Sequence, residues 1–165
     1  MSEKKIVEVY TDGGCRPNPG RGGWGWAEYG KKHQGKQIIF VENGGEMEST
    51  NNRMEITAII EHLKHAPRGV HYIIHSDSEY TLKCIIKGGN HGIIDTPGSY
   101  SGWLKSWIPE NFEGKKNIDL WIILVGFMED HLKNKSILEF KHVKAHSGIP
   151  GNELADTLAT LGIPS

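Results

Sequence analysis

The sequence predicts an α/β domain built on one five-stranded mixed sheet, three antiparallel strands then two parallel ones, with helices on both faces. Two patterns predict it. Up to about Val41 the apolar residues come in short β-branched or aromatic runs separated by glycine. From Asn52 onward they recur at helical spacing, and two further strand-like runs are enclosed between the helices. Helix-linked strands run parallel through right-handed crossovers, whereas closely spaced early strands form a meander. The 165 residues, 37% of them hydrophobic, fit a single domain over 1–165.

In order, Ile6–Tyr10 is a short strand bounded by the turn-like Asp12-Gly13-Gly14. Gly23–Tyr29 and Gln37–Val41 follow as strands, separated by Gly30–Gly35. Ile56, Ile59, Ile60 and Leu63 form one apolar helical stripe, which Asn52 and Glu55 open as a capping box and Pro67-Arg68-Gly69 ends. Val70–His75 is the fourth strand, and Ser78–Lys87 a short helix. Asn90–Lys116, rich in Gly and Pro, reads as a mobile excursion with one aromatic helical piece at Trp103–Ile108. Leu120, Ile123, Leu124, Phe127 and His131 mark a helix, Ile137–Val143 the fifth strand, and Pro150–Leu161 a last helix.

Composition excludes several classes. Nineteen Lys+Arg against twenty Asp+Glu give a net charge of -1, so no bulk field selects an acidic or basic partner. Cys15 and Cys84 lie far apart and form no CxxC pair, which argues against a disulfide scaffold and a structural zinc site. The longest apolar run, Leu120–Met128, is about half of the ~20 residues that span a bilayer. With no signal-peptide pattern at the N-terminus, a cytoplasmic, membrane-free protein is expected.

Four acids carry the chemical reading: Asp12 after strand 1, Glu55 in the first turn of the first helix, Asp77 after strand 4, and Asp156 in the last helix. Each alone has an ordinary explanation as turn former, cap or solvent-facing side chain. Together they are harder to dismiss. Two strand ends carry Asp toward the same rim of the sheet, where such sheets bind ligands. Carboxylates gathered there repel one another unless a cation neutralises them, and all-oxygen ligation suits Mg²⁺ or Mn²⁺. Such sites hold two ions about 3.5–4 Å apart and hydrolyse phosphodiesters in line.

The surrounding words are familiar. Tyr10-Thr11-Asp12-Gly13-Gly14-Cys15-Arg16-Pro17-Asn18-Pro19-Gly20 resembles the opening motif of type 1 ribonucleases H. Thr50-Asn51-Asn52-Arg53-Met54-Glu55, Ser76-Asp77-Ser78 and Asn117-Ile118-Asp119-Leu120-Trp121 are similar to that family's next blocks, in family order. His142-Val143-Lys144-Ala145-His146-Ser147-Gly148 with Gly151-Asn152-Glu153-Leu154-Ala155-Asp156 resembles its C-terminal motif. The resemblance implies the RNase H-like fold. It also implies an endonuclease that cuts the RNA strand of RNA–DNA hybrids with two Mg²⁺ ions, Mn²⁺ being an alternative, and leaves 5′-phosphate and 3′-hydroxyl ends. By the same resemblance Asp12, Glu55, Asp77 and Asp156 hold metal, and His146 is a loop histidine that aids proton transfer or product release. Asn18 and Asn52 contact the RNA strand, Thr50 holds a phosphate of the DNA strand, and Arg53 supports the groove. No obligate protein partner is implied, and a monomer is expected.

Two departures stand out. Glu79 occupies a position where many relatives carry Gln; an ionised carboxylate only accepts hydrogen bonds, whereas an amide also donates. The segment Ser78–Ile118, where relatives have a basic protrusion, sets five lysines against four acids, with Trp103 and Trp107 as its aromatic face. That handle is electrostatically thin, so binding should be weaker and less salt-sensitive than in a strongly basic relative. Competing readings are a scaffold that has lost catalysis, which the joint presence of all four acids and His146 opposes, and a kinase or ATPase, for which no GxxxxGK[ST] exists.

Overall fold

A computed structural model describes residues 4–32 and 35–165. The turn expected within Gly30–Gly35 falls partly on residues 33–34, outside the described residues. The sheet has six strands, not five: β1 (Ile6–Cys15), β2 (Gly20–Lys32), β3 (Gly35–Ser49), β4 (His71–Ser76), β5 (His91–Ile94) and β6 (Ile137–His142), in the order β3-β2-β1-β4-β6-β5. β1, β2 and β3 pair antiparallel, and β4 joins β1 and β6 in parallel, as expected. The additional strand is β5, antiparallel on β6 at the sheet edge. Its four residues His91-Gly92-Ile93-Ile94 lie in the stretch expected to be a mobile excursion, and they are too few to display a period.

The helices are α1 (Asn51–His65), α2 (Glu79–Ile85), α3 (Leu104–Trp107), α4 (Ile118–Lys133) and α5 (Pro150–Gly162). α1 buries Ile56, Ile59, Ile60 and Leu63 against Val7, Val9, Tyr72 and Ile74, and Trp121, Leu124 and Met128 of α4 complete this core. Burial of such side chains is worth about 1.5–3 kcal/mol each before the entropy of ordering is subtracted. α5 covers the other face. Strand residues point alternately to the two faces, and the glycines show what each face meets. A Cβ on Gly13 would strike the backbone of Met54 and Glu55 in α1, whereas one on Gly25 would strike Leu158 and Ala159 in α5.

Glycine is therefore needed where α5 lies nearly on the sheet. A Cβ on Gly23 would meet the Ala159 carbonyl, with Ile163 N at 2.9 Å. Backbone atoms cannot swing aside as a side chain tip can, so Gly23→Ala should cost about 3 kcal/mol. Urea unfolding checks this; a loss below about 1 kcal/mol would mean that α5 moves freely on the sheet. No helix among the described residues is long and apolar enough to cross a membrane.

Candidate active site

Asp12 lies inside a strand. β1 continues to Cys15, and Asp12 pairs with Gly25 of β2, so the turn expected at Asp12-Gly13-Gly14 is replaced by extended backbone. The close approach of α1 over Gly13 explains why glycine follows Asp12 there. Asp77 follows β4, the parallel neighbour of β1, so two adjacent strands deliver Asp to one rim of the sheet. Glu55 enters that rim from α1. The helix is capped by Thr50, whose hydroxyl accepts from Arg53 N at 3.2 Å, and not by the expected Asn52–Glu55 box. Glu55 is thereby released from capping and turned inward.

The three side chains converge. Asp12, Glu55 and Asp77 each place a carboxylate oxygen within 4.8 Å of the others. Glu55 is 7% exposed, and its Oε1 is buried without a hydrogen-bond partner. Asp12 is anchored by one bond, its Oδ1 accepting from Gly13 N at 2.8 Å. The electrostatic consequence is large. Burial first, and the negative charge of Asp77 beside it, push the Asp12 carboxyl up from 3.8 to about 7. Burial, followed by the charges of Asp12 and Asp77, raises Glu55 well above the usual carboxylate range.

Asp156 of α5 stands next to Asp12 and belongs to a second group. His146, Glu153 and Asp156 bring ligand atoms within 4.8 Å of one another. Glu153 was not singled out from the sequence. Its signal was available, because Glu153 and Asp156 are three apart at the start of a helix and share one face. Glu153 also accepts a 3.4 Å bond from Gly148 N, tying α5 to the loop that carries His146. His146 is exposed and sits at φ +55°.

One cleft of about 390 Å³ collects Asp12, Glu55, Asp77, Glu79, Asn52, His146 and Asp156. Beside it, Asn18 Oδ1 accepts from Asn51 N at 3.0 Å, and Asn51 Oδ1 accepts from Cys15 N at 2.8 Å. These bonds fasten the loop after β1 to the start of α1. Arg53 turns away from the cleft and forks onto Asp119 of α4 at 3.0 and 2.7 Å, so it braces α1 against α4. Glu79 is exposed at the start of α2, with Lys83 at 3.9 Å.

Trp103 and Trp107 stack at 5.9 Å, and Trp107 also meets the edge of buried Trp121. Trp107 is thus largely a packing residue, while Trp103 remains 46% exposed. Lys83, Lys87 and Lys105 line a separate groove of about 620 Å³ with Trp103. The thin charge balance of this segment therefore hides a local concentration of cations.

A family model described as RNase H matches residues 4–163. The chain is 40% identical to a ribonuclease H of Hahella chejuensis over 165 residues, covering 96% of this chain and 94% of that protein. Among solved structures, LC9-RNase H1, described as a type 1 RNase H with the type 2 active-site motif, shares the fold at a TM-score of 0.73 and 22% identity, over 99% of this chain and 74% of that one. LC11-RNase H1 in complex with an RNA/DNA hybrid matches at 0.63 and 19%, over 95% and 96%. The convergence of acids at the rim of this sheet is thus found in a chain that belongs to the RNase H family of nucleases.

Proposed function

We propose that this chain is a single RNase H domain and an endoribonuclease that hydrolyses the RNA strand of RNA–DNA hybrids. Its relatives carry the ribonuclease H name, and a fold neighbour is described with such a hybrid bound. One observation carries the metal reading: the Glu55 oxygen is buried and unpartnered beside Asp12 and Asp77, whose charges add to burial in raising its proton affinity. A buried polar atom without a partner is costly, and a hard divalent cation fits an all-oxygen donor set. Asp12, Glu55, Asp77 and Asp156 would hold two Mg²⁺ ions, or Mn²⁺ in their place. When bound, such ions lower the pKa of water and stabilise charge on the leaving oxygen.

Water adds to phosphorus and the bond to the 3′-oxygen breaks, which leaves a 5′-phosphate and a 3′-hydroxyl. Recognition falls to the polar residues around the acids. The 2′-hydroxyl distinguishes RNA from DNA. The Asn18 amide keeps its NH₂ free to donate while its oxygen holds Asn51 N. Asn52 is exposed on the lip of the same cleft. The Thr50 hydroxyl accepts from Arg53 N and retains its own proton for a phosphate of the DNA strand. Glu79 contributes an acceptor and a negative charge at that lip, and the Trp103 groove with its three lysines grips the DNA strand farther along.

His146, exposed on the loop that Glu153 restrains, gives a proton to the leaving 3′-oxygen or takes one from the attacking water. His146→Ala should slow turnover by about 10²–10⁴-fold, the usual worth of a positioned proton carrier. An unchanged rate would remove His146 from the reaction. The function itself is tested with an end-labelled hybrid, duplex RNA, duplex DNA and both single strands, each with Mg²⁺ and with EDTA. Cleavage of the hybrid alone, stopped by EDTA and leaving ends that ligate without prior phosphorylation, is the expected result. Binding without cleavage, or equal cutting of duplex RNA, would overturn it.

A further inference from the structure

The open end of the sheet carries a second cluster of metal-ligating side chains on strands that the acidic cleft does not use. Glu139 of β6 is 8% exposed, yet it is a carboxylate in the middle of a sheet. In its row it lies between Ile73 of β4 and Ile93 of β5. Two imidazoles reach it diagonally from either side. His71 Nε2 lies 2.8 Å from Oε1, and His91 Nε2 lies 2.6 Å from Oε2. The His71 side chain is 19% exposed and that of His91 50%, so the group is part-buried with access from the β5 edge.

We propose that His71, Glu139 and His91 form a site for a borderline divalent cation of the zinc class, separate from the acidic cleft. Two imidazoles and a carboxylate, with water completing the shell, form a donor set that such ions favour over Mg²⁺. Ligand atoms around a tetrahedral zinc with bonds of about 2.0–2.2 Å stand about 3.3–3.6 Å apart, so each His–Glu pair opens by roughly 0.5–1 Å. The two rings stand on opposite oxygens, and the three residues do not bring one ligand atom each within 4.8 Å of one another as the two acidic groups do. Chelation therefore requires the rings to draw together across Glu139, a movement that falls to half-exposed His91 on its four-residue edge strand.

The proton balance is simple. In the metal-free state each Nε2–H donates to the carboxylate. On binding, each neutral ring changes tautomer, its single proton leaving Nε2 and returning from solvent to Nδ1, and offers Nε2 to the cation. Lys141 opposes this, its Nζ 3.9 Å from Glu139 Oε2. Its ammonium competes for the same carboxylate and repels an incoming cation. His71 opens β4 whereas Asp77 follows the end of that strand, about 20 Å away at 3.3 Å per residue.

The test is a titration of the whole chain with Zn²⁺ in saturating Mg²⁺, followed by ¹H–¹⁵N spectra of the imidazole rings and repeated with Co²⁺ for its visible absorption. The proposal expects one saturable equivalent that shifts the His71 and His91 rings together. His91→Ala and Glu139→Gln should each weaken it by about tenfold or more, since even loss of an outer-shell partner costs 10–100-fold. Lys141→Met should tighten binding several-fold, which a purely structural histidine–carboxylate pair would not reproduce. Shifts confined to His146, or binding that both His91→Ala and Lys141→Met leave unchanged, would overturn it. Because no hybrid is cleaved in this measurement, its failure is distinct from failure of the nuclease reading.

Discussion

Asp12→Asn is expected to lose turnover on an RNA–DNA hybrid by at least about 10³-fold, with hybrid affinity and folding largely kept. Asp12 stands between the two groups of ligands, sharing one with Glu55 and Asp77 and lying beside Asp156 of the other. On the proposed reading it is the carboxylate common to both clusters, and an amide would offer neither its charge nor its second anionic oxygen. Binding should survive because the proposed hybrid contacts do not depend on Asp12: Asn18 and Thr50 are held by bonds to Asn51 N and Arg53 N, and the Trp103 groove lies apart from the acidic cleft. A rate within tenfold of the parent, measured under single-turnover conditions, would remove Asp12 from the site.

The same variant should be more stable than the parent without metal at pH 8, by on the order of 2 kcal/mol. The Asp12 carboxyl is raised to about 7 in the folded chain, chiefly by burial, and Glu55 is raised with it. A carboxyl raised on folding takes up protons in the native state. Its contribution is fully present below the unfolded value near pH 4 and is lost as pH rises through about 7. Buried His62 and His131, both held below the ordinary imidazole range by burial, act in the opposite sense as pH rises, so the effect of the acids is read as a difference: Asp12→Asn should gain stability relative to the metal-free parent between pH 5 and pH 8. Mg²⁺ should restore the parent most strongly at high pH, because binding a cation to these acids expels their protons. Urea unfolding in EDTA and in Mg²⁺ at both pH values measures this. A difference between Asp12→Asn and the parent that does not grow with pH in EDTA would contradict the crowding of these carboxylates.

The strands β1, β4 and β6 were legible because they alternate or run apolar, though β1 continues past its expected end at Tyr10 to Cys15, and the helical stripe of α1 leaves no ambiguity. The acids were legible as residue types at strand and helix ends, though not in their local setting. Asp12-Gly13-Gly14 has turn composition, but the glycines answer tertiary crowding by α1, which no local pattern records. Asn52 and Glu55 have the spacing of a cap, but Thr50 is the residue whose hydroxyl takes the Arg53 amide of the first turn. β5 was hidden because four residues with one glycine show no period, and only pairing with β6 makes them a strand. Glu153 was visible as an i, i+3 partner of Asp156 and gains meaning only when the His146 loop folds over it. The Glu139 cluster was invisible, since His71, His91 and Glu139 come from three strands far apart in sequence.

Whether these carboxylates share a cation is read most directly from Mn²⁺ binding followed by electron paramagnetic resonance on the chain alone. The account predicts that affinity rises from pH 5 to pH 8, and that Asp12→Asn and Asp77→Asn each weaken it by about tenfold or more. Mn²⁺ held as tightly by Asp12→Asn as by the parent, with no change across that pH range, would contradict it.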